Sequence, residues 1–152
     1  MNWQQLRDGV YYCDGSFRDI LIYNTTKNDW IAWADFVNQN YTVSFKSYES
    51  ERPKDKINMD TILEYWEDVH DNCSSASVFI DNIRINAFFA ADDEIENDIT
   101  PLEINSIEDH IKLVKYMTEI SRLLNKKVIL TPENTPETEL ITIYNDHMVI
   151  NL

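Results

Sequence analysis

The chain is poor in glycine, since only Gly9 and Gly15 occur among its 152 residues. Loops that cradle phosphate groups need several closely spaced glycines, so the sequence excludes the common nucleotide-binding motifs. Long apolar runs are also missing: no stretch approaches the roughly 18 apolar residues of a membrane span, and none follows a basic flank near Met1. We therefore expect neither a transmembrane helix nor a secretory signal, and we expect a cytoplasmic protein.

Cysteine and histidine are too scarce to predict a catalytic or metal centre. Cys13 and Cys73 lie far apart in the sequence, and we expect two reduced thiols. His70 and Cys73 are spaced so that a base could meet a nucleophile at a helix end, but no oxyanion motif accompanies them. We interpret His110 as a buried, hydrogen-bonded imidazole. The sequence thus predicts no catalytic residue, no metal site and no cofactor.

Lysine and arginine are almost absent from the middle of the chain. The whole chain has 27 acidic and 13 basic side chains, which give a net charge of −14. Residues 57–111 contain 14 acidic side chains and one basic side chain, Arg84, whereas the flanking segments are nearly neutral. Such a charge disfavours binding to nucleic acid or to an anionic membrane and favours a basic protein partner. Its concentration in one segment is typical of a recognition surface.

Two acidic segments within residues 57–111 are the candidate binding surface. Residues 60–71 have helical periodicity, with apolar side chains on one side and five carboxylates on the other. Residues 92–98, DDEIEND, are predicted to form an acidic loop after a hairpin. Because only that hairpin separates the two segments, we expect them to be neighbours and to form one partner-binding face. Its predicted members are Asp60, Glu64, Glu67, Asp68, Asp71, Asp92, Asp93, Glu94, Glu96 and Asp98.

The pattern of turns and apolar residues predicts an α+β fold. Hairpins are expected at 10–23, 76–91 and 140–150, and single strands at 41–48 and 128–131. Helices are expected at 27–38, 60–71 and 107–125, and capping pairs precede the first and the last of them. With no internal repeat or linker, we expect residues 1–152 to form a single domain. Its mostly antiparallel sheet, built from hairpins, should carry about three packed helices.

Several stretches of the sequence, distributed over most of the chain, resemble a known family. They are CDGSFRDI at 13–20 followed by NTTKNDW at 24–30, EIENDITP at 94–101, and KKVILTPENTPE at 126–137. These stretches are similar to a family of small bacterial proteins that resembles the immunity proteins of polymorphic toxins. The resemblance implies a cytoplasmic α+β protein that binds and neutralises a cognate toxin. It transfers no site residue to this chain.

The charge pattern and the resemblance lead to one main hypothesis. We expect a non-enzymatic binding protein whose acidic middle third docks on a basic partner, such as a nuclease-type toxin that must itself be cationic. The alternative is a small-molecule-binding domain or small enzyme with a pocket between the sheet and the C-terminal helix, using His110 or His70. An acidic surface that serves only solubility, or a domain that only self-associates, is the simpler possibility.

Overall fold

Eight strands in one antiparallel sheet and four α-helices make up the protein, and the computed structural model describes all 152 residues. The strands are β1 (Arg18–Tyr23), β2 (Thr42–Lys46), β3 (Ser75–Ile80), β4 (Ile83–Phe88), β5 (Glu94–Ile99), β6 (Val128–Pro132), β7 (Ile141–Tyr144) and β8 (His147–Ile150). The helices are α1 (Trp3–Gly9), α2 (Lys27–Asn40), α3 (Met59–Trp66) and α4 (Ile107–Leu124), with a 3-10 turn at Pro101–Glu103. The predicted α+β class is confirmed, with one helix more than expected. No helix has the length and apolar character needed to cross a membrane.

The first strand of the chain lies near the middle of the sheet, whose order is β2–β3–β4–β5–β1–β6–β7–β8. β1 pairs antiparallel with β5 on one side and with β6 on the other. The predicted hairpins at β3–β4 and β7–β8 are confirmed, and β2 and β8 form the two edges. The position of β1 brings the N-terminal part of the chain against the acidic middle third.

The core lies between the helices and one face of the sheet. Alternate residues of the central strands, among them Ile20 and Ile95, point to this face and are buried. The indole N–H of Trp33 on α2 donates to the hydroxyl of Tyr116 on α4 at 2.9 Å. That hydroxyl donates in turn to Oδ1 of Asn97 on β5 at 2.6 Å. This buried series of hydrogen bonds ties both long helices to the centre of the sheet.

The two long helices begin at the predicted capping residues. Thr26 and Asp29 form a reciprocal capping box before α2, in which each side chain accepts the backbone N–H of the other residue. The hydroxyl of Ser106 accepts the N–H of Asp109 at 3.2 Å before α4. Each cap satisfies N–H groups that have no partner inside the helix. The sequence therefore predicts where these helices begin.

Asparagine and aspartate make most of the left-handed turns of this glycine-poor chain. Six of them have a φ between 52° and 60°, whereas glycine supplies one such position, Gly15 with a φ of 85°. The six are Asn24, Asp68, Asp81, Asn125, Asn134 and Asn145. Asparagine and aspartate adopt this conformation more readily than other residues with a side chain, because their short polar side chains are able to hydrogen-bond locally. The β3–β4 and β7–β8 hairpins and the end of α4 each turn at one of these residues.

The predicted first hairpin, at residues 10–23, is wrong because its first arm is not a strand. The helix α1 (Trp3–Gly9), which the sequence does not predict, ends directly before that arm, and it begins at a capping box in which Asn2 and Gln5 accept each other's backbone N–H. Val10 and Tyr11 follow the helix and are buried in the core rather than paired with β1. The carbonyl oxygens of Val10 and Tyr12 accept hydrogen bonds from the Arg18 side chain rather than from a neighbouring strand, so no strand forms here.

Helix α3 is shorter than predicted and ends at Trp66 rather than at residue 71. Glu67 is its C-cap, and Asp68 adopts the left-handed conformation with a φ of 60°, which stops the helix. Carboxylates at the negative end of a helix, with no basic residue in its last turn, disfavour a further turn. The predicted stripe of five carboxylates on one helix is therefore wrong, since only Asp60 and Glu64 lie on α3.

Arg18 at the start of β1 fastens the irregular segment that follows α1. Its guanidinium is fully buried and donates to the carbonyl oxygens of Val10 at 2.8 Å, Phe17 at 2.9 Å and Tyr12. The same group lies 4.0 Å from the centre of the Tyr12 ring. Buried carbonyl groups need donors, and here one side chain supplies them for a whole segment.

Replacement of Arg18 by methionine is expected to lower the free energy of unfolding by about 3 kcal/mol, because several carbonyl groups lose a charged donor. Urea unfolding followed by tryptophan fluorescence measures this change. Arg7→Met is the matched control, since Arg7 is exposed on α1, and it should change the free energy by less than about 0.5 kcal/mol. Equally small effects of the two substitutions would contradict the role of Arg18.

Candidate functional site

A row of carboxylates lies on the sheet face opposite the helices. Residues 94–99 form β5 rather than the predicted acidic loop, and their side chains alternate between the two faces. Ile95 is buried under the helices, whereas Glu94, Glu96 and Asp98 are half-buried on the other face. The segment EIENDI has the period of a strand, but its density of charge is more typical of a loop. The prediction of a loop at 92–98 is corrected accordingly.

Asp19 on β1 joins these carboxylates, although the sequence does not single it out. Antiparallel pairing places Asp19 directly opposite Asp98. We call Asp19, Glu94, Glu96 and Asp98 the acidic sheet face. Aspartate is depleted in strands, so its presence inside the β-forming segment RDILIY is the one local signal that marks this position. Its acidic neighbours become visible only with the strand order.

The acidic sheet face is costly for the free protein. Like charges directly opposite each other on neighbouring strands destabilise a sheet, and Asp19 and Asp98 stand in that relation. No lysine or arginine forms an ion pair with any of the four carboxylates. The amide N–H of Asn134 donates to Asp19 at 2.9 Å, and the side-chain amide of Asn86 donates to Asp98 at 2.8 Å. These two neutral donors thus compensate in part for the repulsion between Asp19 and Asp98.

The pKa values of all four carboxyl groups are raised. Burial is the largest cause in each case, and neighbouring carboxylates add to it. At Asp98 the hydrogen bond from Asn86 and the charge of Arg84 oppose the rise in pKa without cancelling it. Nε of Arg84 donates to the hydroxyl of Ser77 at 2.9 Å, and Arg84 forms no ion pair with Asp98. The local environment therefore disfavours the charged form of these carboxyl groups, first through burial and then through the neighbouring carboxylates.

Three of the other predicted carboxylates border an open hollow of about 510 Å³ near the end of α3, whereas Asp60 and Glu64 lie on α3 itself and Asp93 lies outside the hollow. Asp68 and Asp71 line it from one side and Asp92 from the other. Asp92 lies two residues before the start of β5, so the two predicted acidic segments do meet at this hollow. Glu67 lies outside it and pairs with Lys27 at 3.6 Å. The acidic surface therefore has two parts, the hollow and the acidic sheet face, connected through residues 92–94.

His70 and Cys73 each bond to the backbone rather than to one another. Nε2 of His70 bonds to the carbonyl oxygen of Thr61 at 3.0 Å, and Nδ1 accepts the N–H of Asn72 at 3.1 Å. The thiol of Cys73 donates to the carbonyl oxygen of Ser74 at 3.6 Å. With backbone partners at both ring nitrogens, His70 fastens the segment after α3 to the helix.

His110 is 6% exposed and lies in the core at the start of α4. Its Nδ1 bonds to the hydroxyl of Tyr11 at 2.7 Å, and burial lowers the pKa of the imidazole. Burial also raises the pKa of Tyr11. This contact agrees with the interpretation of His110 as a buried, hydrogen-bonded residue, and it anchors the segment after α1.

No three histidine, cysteine, aspartate or glutamate side chains are arranged to hold a metal ion. Comparison with protein-family models, with curated proteins and with solved structures finds no match to this chain. The candidate site is therefore defined by its geometry and charge alone. What that geometry supports chemically is the binding of positive charge.

Neutralisation of Asp98 is expected to stabilise the free protein. At pH 7 the Asp98→Asn substitution should raise the free energy of unfolding by about 0.2 to 1 kcal/mol, because it removes one of two opposed like charges and preserves the shape of the side chain. Urea unfolding measures the change. Asp35→Asn on α2 is the matched control, since Asp35 is exposed and should show almost no effect.

The gain from Asp98→Asn should depend on pH. Because folding raises the pKa of Asp98, its charge costs stability at pH values above the folded-state pKa. That cost declines as the carboxyl group binds a proton and vanishes below 3.8, the ordinary value. Unfolding of both proteins from pH 7 downward should therefore show the two curves converging. A gain that is constant over this range would contradict the role of charge.

Proposed function

We propose that this protein is a non-enzymatic immunity protein that binds and neutralises a cognate basic toxin of the nuclease type in the cytoplasm. The observation that carries the proposal is the acidic sheet face, where carboxylates of β1 and β5 lie together without a paired cation. A cationic partner would relieve the repulsion that the free protein contains. The resemblance of the sequence to a family similar to immunity proteins supports the same function.

A nuclease-type toxin suits this surface because an enzyme that acts on nucleic acid needs a cationic cleft for the phosphate backbone. A surface of closely spaced carboxylates carries charge of the same sign as that backbone. It can therefore occupy or cover the cleft and block access of the substrate. This inhibition requires complementary charge and shape, and it requires no catalytic residue of the immunity protein.

Exposed aromatic rings beside the carboxylates provide anchors for such a complex. Tyr23 lies directly opposite Glu94 on the β1 side of β5 and is 39% exposed. Phe88 lies directly opposite Glu96 on the β4 side and is 40% exposed. Charge accelerates association, whereas buried aromatic rings contribute much of the affinity of protein interfaces. The acidic sheet face combines both features within three adjacent strands.

Charge neutralisation on the acidic sheet face is expected to slow association with the toxin. The partner to test is a toxin-like protein found by inspecting the genes next to the one that encodes this chain, and stopped-flow kinetics measure its association rate. The triple variant Glu94→Gln, Glu96→Gln, Asp98→Asn should lower that rate by about tenfold at low salt and reduce its dependence on ionic strength.

Two further triple variants remove the same charge from other places. Glu64→Gln, Glu67→Gln, Asp68→Asn tests the region of α3, and we expect it to lower the rate less than the first variant. Asp35→Asn, Glu51→Gln, Asp55→Asn changes exposed carboxylates outside the acidic middle third and controls for net charge. If all three variants behave alike, the acidic sheet face is not the interface. If the neighbouring protein neither binds nor poisons cells, the immunity function is wrong.

The aromatic anchors should act on dissociation rather than association. Tyr23→Ala and Phe88→Ala are each expected to weaken the complex by tenfold or so, mainly through faster dissociation, because truncation removes buried contact area and leaves the charge unchanged. Surface plasmon resonance with the same toxin separates the two rates. Tyr48→Ala is the control, since Tyr48 is exposed elsewhere. Unchanged dissociation of both variants would place the interface on another surface.

A further inference from the structure

Strand β8 is an open edge of the sheet. Its inner side bonds to β7, and beyond it the N–H of Asn151 donates to the carbonyl oxygen of Leu140 at 2.8 Å. Inward and outward main-chain groups alternate along an antiparallel strand. The N–H and C=O groups of Met148 and Ile150 therefore point away from the sheet, where another strand can pair with them.

The opposite edge of the sheet, β2, is protected against pairing with another strand, in contrast to β8. Phe45 of β2 exchanges two backbone hydrogen bonds with Lys54, each 2.8 Å long, so an added segment occupies that edge. β2 also ends with Lys46, a charge of the kind that keeps edges apart. β8, with the sequence HMVI, contains neither lysine nor proline and has no such covering bridge.

Exposed apolar side chains cluster along this same edge. Met148 and Val149 on β8 are 45% and 41% exposed and point to opposite faces of the sheet, Met148 to the helix side with Ile143 and Val149 to the other side with Thr142. Tyr144 shares the face of Val149, and it and Leu152, just beyond the strand, are also exposed. An apolar patch continuous with an open strand edge is typical of an interface.

The charge of the surrounding residues favours one kind of partner for the β8 edge. Residues 112–152 contain five acidic and five basic side chains, and within residues 140–152 the only carboxylate of a side chain is Asp146. This is the neutral end of a chain with a net charge of −14, so it is where two copies approach with least repulsion. A basic partner would instead be drawn to the middle third. We infer that β8 pairs with β8 of a second copy of this chain to form a symmetric dimer.

The geometry of the strand suits a twofold axis through Val149. Antiparallel pairing centred there places Met148 opposite Ile150 of the second copy, and the reverse, so that both outward-facing pairs bond. About four main-chain hydrogen bonds result, and the two Val149 side chains face each other. Because so short a strand forms few bonds, the apolar patch must supply most of the association, and the dimer should be concentration-dependent.

Light scattering during size-exclusion chromatography tests the dimer. Over loading concentrations from about 5 to about 300 µM, the mass should rise from 18.0 kDa towards twice that value. Val149→Lys should remain at 18.0 kDa throughout, because it sets two cations against each other, whereas Val149→Thr should still dimerise. Val69→Lys adds the same charge at another exposed valine and should behave as the wild type.

Salt distinguishes the dimer from binding of a toxin. Added salt should favour the dimer by screening the repulsion between two acidic chains, whereas it should weaken a complex with a basic toxin. Circular dichroism confirms that Val149→Lys folds, and Met148→Lys serves as the second variant if it does not. A mass of 18.0 kDa at every concentration, or a Val149→Lys protein that dimerises like the wild type, would overturn the proposal.

Discussion

The register of β1 against β5 is the constraint on which the rest of the structure depends. It places Ile20 and Ile22 beside Asn97 and Ile95 under the helices, and in the same step it sets Asp19 against Asp98 on the other face. Because side chains alternate along a strand, a slip of one residue would bury the carboxylates and expose the core. The apolar packing is therefore what holds the like charges together.

This coupling explains how an unfavourable surface persists in a stable fold. The core spans the sheet, α2 and α4, and it includes large buried side chains such as Trp30 and Trp33. Burial of a large side chain stabilises the fold by about 1.5 to 3 kcal/mol, whereas an opposed pair of like charges costs at most about 1 kcal/mol. The core can thus maintain the acidic sheet face without help from a cation. Departures from good local electrostatics of this kind are typical of functional surfaces.

Much of the fold is predictable from local signals, and the candidate site is not. Caps at Thr26 and Ser106 predict where α2 and α4 begin. Short polar turns predict the β3–β4 and β7–β8 hairpins. The end of α3 is predicted too late, because the helical periodicity of the sequence continues past Asp68, which adopts the left-handed conformation. The place of Asp19 in the candidate site is not predicted from the sequence, because its acidic neighbours lie on a strand from the middle third of the chain. The sequence shows that negative charge is concentrated in residues 57–111, but only the strand order shows which carboxylates lie together.

The left-handed turns have a consequence for the unfolded chain. Glycine explores more backbone conformations than any other residue, so a fold that turns at glycine loses more entropy when it forms. Here asparagine and aspartate occupy six of the seven positions with positive φ, and their side chains restrict the unfolded backbone. Asp68 and Asp81 also add negative charge where they turn the chain. The same residues thus limit the disorder that folding must overcome and contribute to the acidity of the surface.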